Sequence, residues 1–569
     1  MNKNILLRVL WVIAFFVWVV GAFWYTTKGG YFTASGDTLF HASRILEIRD
    51  AFKEGQLPSW VALKTFHHIG SAIPAMYPDF TLWPLVFLTE MLPFYAQIAA
   101  IKLALLIITL VITYTQLVNR VNSDKLVVLQ LSILYALSGY ALFSFVYELQ
   151  PTAIIYAFGL YIFYAVYDLV NVSESNFRNT VIKLVIALVL VLFTHFLSFV
   201  VLALLILPFL MYSLFVNKNR LLILKAGTFA LFLGLIISAP VLYRYFVISS
   251  TGIMQPFGQG KVYGVNIIDL ITESSWAART SVASPLGLLI LTAYWGKREP
   301  SALVKVTTLL SLWMMFLSSN VVPWFIINRI PVLNNLQYAP WRFAPWLGIP
   351  LVILIARGIG SEISKIVLSS LTIISFFVAT QALIGMDGKS TMVADINGPV
   401  SEEKVLKVTQ KDLVGDLLQR TIVPDYLPEK IGTQSEDDSK LSNFGQRLAN
   451  EHAVYVNEVE AMKTKITVPK VNIIRYSLNS LNKGVVELPL VAYDSLKYKV
   501  TVDGKNVPSH ISERSLLSFD NEFDRPTTTI KVEVFGPNYY NYVVFGELFL
   551  MLLWIGICMV KKFDLLNFV

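Results

Sequence analysis

The stretch Ile5-Leu-Leu-Arg-Val-Leu-Trp-Val-Ile-Ala-Phe-Phe-Val-Trp-Val-Val-Gly-Ala-Phe-Trp-Tyr25 contains only one charged residue, Arg8. A membrane-spanning helix needs about 20 predominantly apolar residues, so this segment is long enough to cross a bilayer. It follows Lys3 and precedes no small-residue cleavage site. We therefore expect a retained signal anchor and not a removed signal peptide.

The same apolar character extends over the whole chain. Of the 569 residues, 55% are hydrophobic and 15% are charged, and the mean hydropathy is +0.60. A soluble domain of ordinary composition carries about 25% charged residues. The composition therefore excludes a soluble cytoplasmic enzyme, a disordered protein and a disulfide-rich secreted domain. It predicts a polytopic α-helical membrane protein.

Further apolar runs bring the predicted number of crossings to about 12 by the length criterion. They lie near residues 97–118, 126–146, 150–170, 181–195, 197–216, 221–247, 283–296, 302–319, 343–357, 366–385 and 541–560. The shorter stretch Phe80–Leu92 contains Pro84, and we interpret it as a partial or re-entrant element. With the N-terminus inside, the short basic clusters all fall on one side, as the positive-inside rule requires. Both termini are then expected in the cytoplasm.

The charged residues are concentrated in one segment. Residues 386–540 contain 19 Lys and Arg and 22 Asp and Glu, whereas the other positions contain 27 basic and 16 acidic residues. The overall charge of +8 therefore belongs to the loops between apolar runs and does not indicate nucleic-acid binding. The only cysteine, Cys558, lies in the last apolar run, so the segment has no disulfide, which weakly favours a bacterial surface.

These patterns predict three regions. Residues 1–385 form a transmembrane domain, residues 386–540 form an extracytoplasmic domain ending in a β-sandwich, and residues 541–569 form a final helix with a cytoplasmic tail. The alternating runs that begin at Lys463, Lys497 and Thr529 predict strands. Asp503-Gly504 lies between two such runs and predicts a tight hairpin turn.

The first outer loop is the richest in ionisable residues. From Thr38 onward its apolar residues recur at near-helical spacing, which predicts an amphipathic helix lying on the outer leaflet. His41, Arg44 and Glu47 recur at steps of three and share a face of that helix. Asp37 precedes the helix, where a carboxylate can act as the N-cap. Spacing alone favours this ordinary cap and a solvated face.

Other ionisable or polar residues are expected on the outward side: Glu148, His195, Asp269, Glu273, Arg279, Gln337 and Arg342. Ionisable groups at membrane depth are often functional, although those at helix ends also extend to the interface without a role. Arg342 lies beside Trp341 and Trp346 and fits the second case. His67 and His68 have no carboxylate or thiol partner at metal-site spacing, so we interpret them as surface histidines.

Several of these residues resemble one bacterial family. Gly36-Asp37-Thr38-Leu39-Phe40-His41 with Arg44-Ile45, Gly55–Pro58 and the Pro74/Tyr77-Pro78 loop resemble the opening of the membrane proteins called 6-pyruvoyl-tetrahydropterin synthase-related. Leu336–Phe343 resembles that family's Gln-Phe-Pro-Trp-Arg motif, with Ala339 inserted. Lys497–Lys505 resembles the closing sandwich of YfhO-like proteins, which usually have a Trp near Tyr498.

The resemblance implies a GT-C-like glycosyltransferase with its active site on the outer side. Asp37 matches the acidic residue of the first outer loop and is expected to be catalytic, as the base that takes the proton of the acceptor hydroxyl. Arg44 and Arg342, with Arg279 in reserve, are expected to bind the leaving phosphate. His41, Glu148, His195 and Gln337 complete the expected substrate-binding set. The expected donor is a polyprenyl-phosphate-linked sugar, because nucleotide sugars are cytoplasmic.

The expected acceptor is a cell-envelope polysaccharide, a teichoic acid or a glycolipid. No cofactor is predicted, and the absence of an Asp-x-Asp pair in the first outer loop weakens a metal-dependent mechanism without excluding one. Two other functions are compatible with the sequence. One is a transporter or flippase for a lipid-linked precursor, although such proteins typically have related halves with interrupted helices. The other is a non-catalytic envelope assembly factor.

Overall fold

The computed structural model describes residues 3–121, 123–254, 262–272, 301–330, 333–336, 339–358, 362–393, 404–414, 425–431, 451–457, 459–546 and 549. The predicted crossing near 283–296 and most of the one near 541–560 lie outside these residues. The site candidates Arg279 and Gln337 lie outside them as well, as does Glu273.

Helices form most of the described chain. They are Lys3–Thr27, Thr38–Lys53, Ile73–Met76, Leu82–Thr89, Phe94–Arg120, Lys125–Ala136, Gly139–Val146, Pro151–Ala157, Gly159–Val170, Phe177–Leu192, Phe196–Val216, Arg220–Ile237, Ala239–Ser249, Ile267–Thr272, Ala302–Ser318, Trp324–Ile327, Ala339–Phe343, Gly348–Gly358, Glu362–Lys389 and Gln410–Val414. Within the described residues, six spans are long and apolar enough to cross a membrane, or eight if each bent helix pair is one span. The chain is therefore a multi-pass membrane protein, and the prediction of about 12 crossings is supported only in part.

Two of the predicted crossings are broken helices. The run near 126–146 divides into Lys125–Ala136 and Gly139–Val146, which are bent by 43°, and the run near 150–170 divides at Phe158 with a bend of 57°. Gly139 has a φ of +54°, a conformation that glycine adopts without the steric cost of a side chain. The Phe80–Leu92 stretch contains an eight-residue helix, Leu82–Thr89, which confirms that it is too short to span a bilayer.

The described structure divides into two compact units. The helical unit comprises Met1–Arg49, Asp79–Leu231 and Phe257–Ile422, and the sheet unit comprises Asp50–Pro78, Phe232–Pro256 and Val423–Val569. The sheet unit therefore takes in two segments that precede the polar region in the sequence, at residues 50–78 and 232–256.

Buried apolar and aromatic side chains form the core of the helical unit, and an ion cluster ties three of its helices together. Arg120 donates from both terminal nitrogens to the Asp168 carboxylate at 2.6 Å, and Lys183 contacts the same carboxylate at 2.6 Å. A bidentate arginine–carboxylate pair is both strong and directional. A small sheet of strands β1 (Phe32–Ala34), β2 (Thr391–Met392) and β3 (Leu406–Val408) belongs to the same unit.

The sheet unit contains two five-stranded antiparallel sheets, which confirms that the polar segment ends in strands. The strands are β4 (Ala453–Val456), β5 (Val459–Lys463), β6 (Lys465–Lys470), β7 (Ile473–Leu478), β8 (Gly484–Val491), β9 (Lys497–Val502), β10 (Lys505–Val507), β11 (Ser509–Ile511), β12 (Leu516–Asn521) and β13 (Thr528–Phe535). Sheet one has the order β10-β9-β13-β7-β6, and sheet two has the order β11-β12-β8-β4-β5. Val502 pairs with Lys505, which confirms the hairpin at Asp503-Gly504.

The segment between Ala62 and Ala72 is part of the sheet unit and binds to strand β8. The Val491 amide donates to the Ile69 carbonyl at 2.7 Å, and the Ala72 amide donates to the Tyr493 hydroxyl at 2.8 Å. Within this segment Phe66, His67 and His68 all have φ between +49° and +61°, a left-handed conformation that is costly for residues with side chains.

The interpretation of His67 as a surface histidine is wrong. Its side chain is buried, and the ring nitrogen of His452 makes a 2.8 Å hydrogen bond with the His67 carbonyl. Burial lowers the pKa of His67 to about 3, and repulsion from His452 and His68 contributes to this shift. The sequence pattern missed this burial because the segment packs against strands that lie far away in the chain.

His67 should make the protein sensitive to acid. Below pH 6.5 the unfolded chain takes up a proton at His67, whereas the folded protein does not until about pH 3, so stability falls as the pH drops through this range. From pH 7 to pH 5 the loss should be about 2 kcal/mol. We expect His67→Asn, which tolerates a positive φ, to reduce the fall in melting temperature between these pH values.

The exposed His510 provides the control. His510→Asn should retain the full acid sensitivity of the native protein. If His67→Asn retains it too, then His67 is not the group responsible.

Candidate functional site

The predicted helix of the first outer loop is present as Thr38–Lys53, but it does not have a solvated face. His41, Arg44 and Glu47 are only 4%, 2% and 3% exposed, and residues 41–49 are buried on every side. The prediction of a helix lying on the outer leaflet is therefore wrong, because its polar face is covered by protein. Burying ionisable groups is costly unless they have partners, so this polar face requires a specific environment.

Two hydroxyl groups hold the turn before this helix in place. Ser35 Oγ and Thr38 Oγ1 both donate to the backbone carbonyl of Tyr147, at 2.9 and 3.0 Å. Between them lies Gly36 with a φ of +48°, where an added Cβ would come within 2.5 Å of Glu148 Oε1. The turn therefore brings Asp37 to the Glu148 region, and the close approach requires a glycine at position 36.

Asp37 itself is exposed, and its backbone carbonyl accepts the first helical hydrogen bond, from the His41 amide at 3.1 Å. It therefore occupies the N-cap position that its spacing predicts. An exposed carboxylate beside a group of buried ionisable residues is accessible to a molecule that approaches from solvent.

Glu148 is buried and belongs to a polar network. The side-chain amide of Gln150 donates from Nε2 to the Glu148 carboxylate, and the Tyr140 hydroxyl donates to Gln150 Oε1 at 3.0 Å. Tyr140 also hydrogen-bonds with Thr152. Lys102, which lies inside the apolar helix Phe94–Arg120, interacts electrostatically with Glu148. The buried carboxylate thus has both a hydrogen-bond donor and a positive charge near it.

His41 and Arg44 are in direct contact on the buried helix face. An Arg44 terminal nitrogen lies 3.1 Å from His41 Nδ1, and because a guanidinium can only donate, Nδ1 is the acceptor. His41 is then the neutral tautomer with its proton on Nε2. Burial lowers the pKa of His41 well below its usual range, and repulsion from Arg44 and His195 lowers it further. Arg44 therefore carries the positive charge of this pair.

His195 and Arg342 line one small cavity, together with Tyr140, Thr152, Leu197, Ser198, Val201, Trp341, Pro345 and Trp346. His195 Nδ1 lies 2.9 Å from Ser198 Oγ, and both Arg342 and Arg44 act on His195 electrostatically. Arg342 donates from Nε to the Leu336 carbonyl at 3.0 Å, and this hydrogen bond does not use its two terminal nitrogens. The cavity therefore combines two aromatic indoles with a guanidinium.

A second cavity lies beside the first and is entirely apolar. It is lined by Gly159, Ile162, Phe163, Val166, Leu202, Leu205, Ile206, Phe209, Leu310, Met314, Trp346 and Ile349. Trp346 lines both cavities, so the cavity that holds Arg342 and the apolar cavity of the helical unit share one wall.

The structure places six of the site residues predicted from the sequence in the same compact unit. Asp37, His41, Arg44, Glu148, His195 and Arg342 all belong to the helical unit and are linked by the contacts above. Sequence reasoning missed Lys102, although a charge within an apolar run is a signal of function. It also missed Tyr140 and Gln150, which carry no such signal, and Trp346 was seen only as a neighbour of Arg342.

The indole of Trp60 is buried in the sheet unit, where its ring packs 4.8 Å from that of Tyr540 and 5.8 Å from the Arg244 guanidinium. Trp60 therefore has a packing role. In the described part of the chain, no group of three His, Cys, Asp or Glu residues is arranged to hold a metal ion.

No family model and no curated protein matches the chain. Among solved structures, the chain is similar to the arabinofuranosyltransferase AftD from Mycobacteria, with a TM-score of 0.49 and 11% sequence identity. The alignment covers 93% of this chain and 40% of AftD, so the chain spans less than half of that protein.

The close approach of Gly36 to Glu148 can be tested by stability. Gly30 also has a positive φ, but no atom lies within 4 Å of an added Cβ there. Gly30→Ala should therefore cost only the backbone strain of about 1–2 kcal/mol. Gly36→Ala should cost a further 1–3 kcal/mol or so, because Glu148 must also move. Melting temperatures of the two purified variants compare these costs directly.

A double-mutant cycle tests whether Glu148 causes the difference in stability between Gly36→Ala and Gly30→Ala. Glu148→Ala should remove the extra cost of Gly36→Ala while leaving the cost of Gly30→Ala unchanged. Equal melting temperatures for the two glycine variants would show that the turn does not press against Glu148.

Proposed function

We propose that the chain is a membrane glycosyltransferase that transfers a sugar from a polyprenyl-phosphate carrier to an acceptor in the cell envelope. The observation that carries the proposal is that an exposed carboxylate, Asp37, precedes the helix of the buried cation Arg44, which acts electrostatically with the half-buried Arg342 on His195. Arg342 and His195 line a small aromatic cavity that shares Trp346 with an apolar one. The resemblance of the first outer loop to GT-C-like proteins agrees with this assignment.

In the proposed reaction, Asp37 acts as the general base. The acceptor hydroxyl gives its proton to the Asp37 carboxylate while its oxygen attacks the anomeric carbon of the donor sugar. The bond between the anomeric carbon and the phosphate oxygen breaks, and the phosphate leaves with the electron pair. Arg44 and Arg342 stabilise the negative charge that develops on that phosphate, because a guanidinium matches phosphate oxygens in two parallel contacts.

The two histidines have a separate role in this scheme. His41 is neutral, so the charge that faces the phosphate comes from the arginines. His41 holds Arg44 through its Nδ1 atom and thereby fixes the direction of the guanidinium. His195 occupies the same cavity as Arg342 and can hydrogen-bond the sugar or the phosphate there.

Glu148 is assigned a positioning role. Its carboxylate is held by Gln150 and lies against Gly36, so it supports the turn that carries Asp37. The adjoining apolar cavity supports a lipid-linked donor, since its wall is hydrocarbon throughout and its neighbour holds the groups that suit a phosphate. The polar head of the donor would lie on the Arg342 side of Trp346 and the isoprenoid chain on the other.

Asp37→Asn should abolish transfer, because the amide cannot accept the acceptor's proton. We expect a loss of about 100-fold or more in the rate of sugar transfer, measured with the purified protein in vesicles and a polyprenyl-phosphate sugar. Asp520→Asn, which changes another exposed carboxylate, is the matched control and should be active.

Full activity in Asp37→Asn, with unchanged insertion and melting temperature, contradicts the assignment of the base. Movement of the donor across the membrane without any transfer would instead identify a flippase.

Filling the apolar cavity should weaken the use of donors with long hydrocarbon tails and leave the use of short-chain donors unchanged. Val166→Phe places a larger side chain in the cavity, and we expect it to raise the KM for a long-chain donor about tenfold. The KM for a short-chain, water-soluble donor should stay the same. Val111→Phe, at an exposed position of the helix Phe94–Arg120, is the control. An equal change in KM for the long-chain and the short-chain donor would show that the hydrocarbon tail of the donor does not bind in this cavity.

A further inference from the structure

The outward face of sheet one is strongly basic, although the polar segment that contains it has more acidic than basic residues. Strand alternation and register define this face, because alternate residues of a strand point to the same side. The face carries Lys465, Thr467, Lys470, Ile473, Arg475, Ser477, Lys497, Lys499, Thr501, Asn506, Thr529, Lys531, Glu533 and Phe535. Six of these residues are cations and one is a carboxylate.

The single carboxylate does not neutralise the face. Glu533 pairs with Lys531 on its own strand at 2.6 Å, and Lys497 donates to Asn538 at 3.3 Å. Lys465, Arg475 and Lys499 make no ion pair within the described part of the chain, and all three side chains are exposed. A molecule that lies on this face therefore meets several positive charges that have no partner of opposite sign in the described structure.

The register makes this arrangement costly for folding. Lys531 lies directly opposite Arg475, and like charges at such a cross-strand position destabilise a sheet. Sheet two offers a contrast, since β4 and most of β8 are buried on both faces. Strands β7, β9 and β13 of sheet one alternate between buried apolar residues and more exposed, mostly polar ones, as a sheet with one solvent-facing side does.

We propose that the outward face of sheet one binds a linear polymer that bears repeated phosphate groups. Lysine binds phosphate as a point charge, and Arg475 can bind it with two parallel contacts. Cations on neighbouring strands are about 5 Å apart and those two positions apart on one strand are about 7 Å apart, so successive phosphates of a flexible chain can each reach one. Thr467, Ser477, Thr501 and Thr529 add hydroxyl donors between the charges.

The composition of the face favours a polymer over a membrane surface. A membrane-binding surface combines basic residues with inserted apolar ones. Here Phe535 and Ile473 are the only apolar residues of the face, and Phe535 lies at one end of it. Binding at this face does not depend on sugar transfer by the helical unit, so the two proposals can fail separately.

The test measures binding of fluorescent inorganic polyphosphate to the full chain in nanodiscs of uncharged phosphatidylcholine. We expect the double variant Arg475→Gln, Lys499→Gln to bind about fivefold to tenfold more weakly. Its affinity should also depend less steeply on salt, because fewer phosphates are neutralised. The control pair Lys430→Gln, Lys483→Gln removes the same charge at exposed positions away from the face and should bind within about twofold of the native protein.

A second readout separates binding from folding. Because Arg475 opposes Lys531, Arg475→Gln should keep or raise the melting temperature while it weakens binding. Equal losses in both double variants, or no binding of polyphosphate by the native protein, would overturn the proposal. So would equally tight binding to phosphatidylglycerol vesicles that persists in the double variant, since that would indicate a different surface and a lipid ligand.

Discussion

The cost of burying charge inside an apolar helical bundle is the constraint on which this structure depends. Arg44, Glu148 and Lys102 are buried among helices whose composition is suited to lipid. A charge in such surroundings is tolerated only with compensating partners. Glu148 has Gln150 and Lys102, and Arg44 has His41. These requirements fix the rotation and depth of the helices that carry the residues, and they hold the proposed active site in one arrangement.

The two carboxylates of the site illustrate how environment separates their roles. Asp37 is exposed at the start of a helix, whereas Glu148 is buried, hydrogen-bonded and close to a lysine. A base that must accept a proton from an incoming hydroxyl has to be accessible, and a positioning residue has to be fixed. The turn at Ser35–Thr38 joins the two through the Tyr147 carbonyl. Pairs of acidic groups in contrasting environments are a common way to divide such tasks.

Sequence periodicity predicted those features that depend on local order. The first apolar helix, the strands of the sheet unit and the turn at Asp503-Gly504 follow from patterns within a few residues. The step of three between His41 and Arg44 predicted that they share a helix face, and the structure brings the two side chains into contact there. The burial of that helix face could not be predicted, because the elements that cover it come from elsewhere in the chain. His195 and Arg342 are likewise far apart in sequence, and only the fold brings them to one cavity.

The central claim is that Asp37 and the two arginines surround the reacting centre of a lipid-linked sugar. A structure of the full chain with a polyprenyl-phosphonate sugar, which cannot react, tests this most directly. The account predicts phosphonate oxygens within about 3 Å of Arg44 or Arg342, the anomeric carbon facing Asp37, and the isoprenoid chain beyond Trp346. A ligand bound away from these residues, or with its sugar turned away from Asp37, would contradict it.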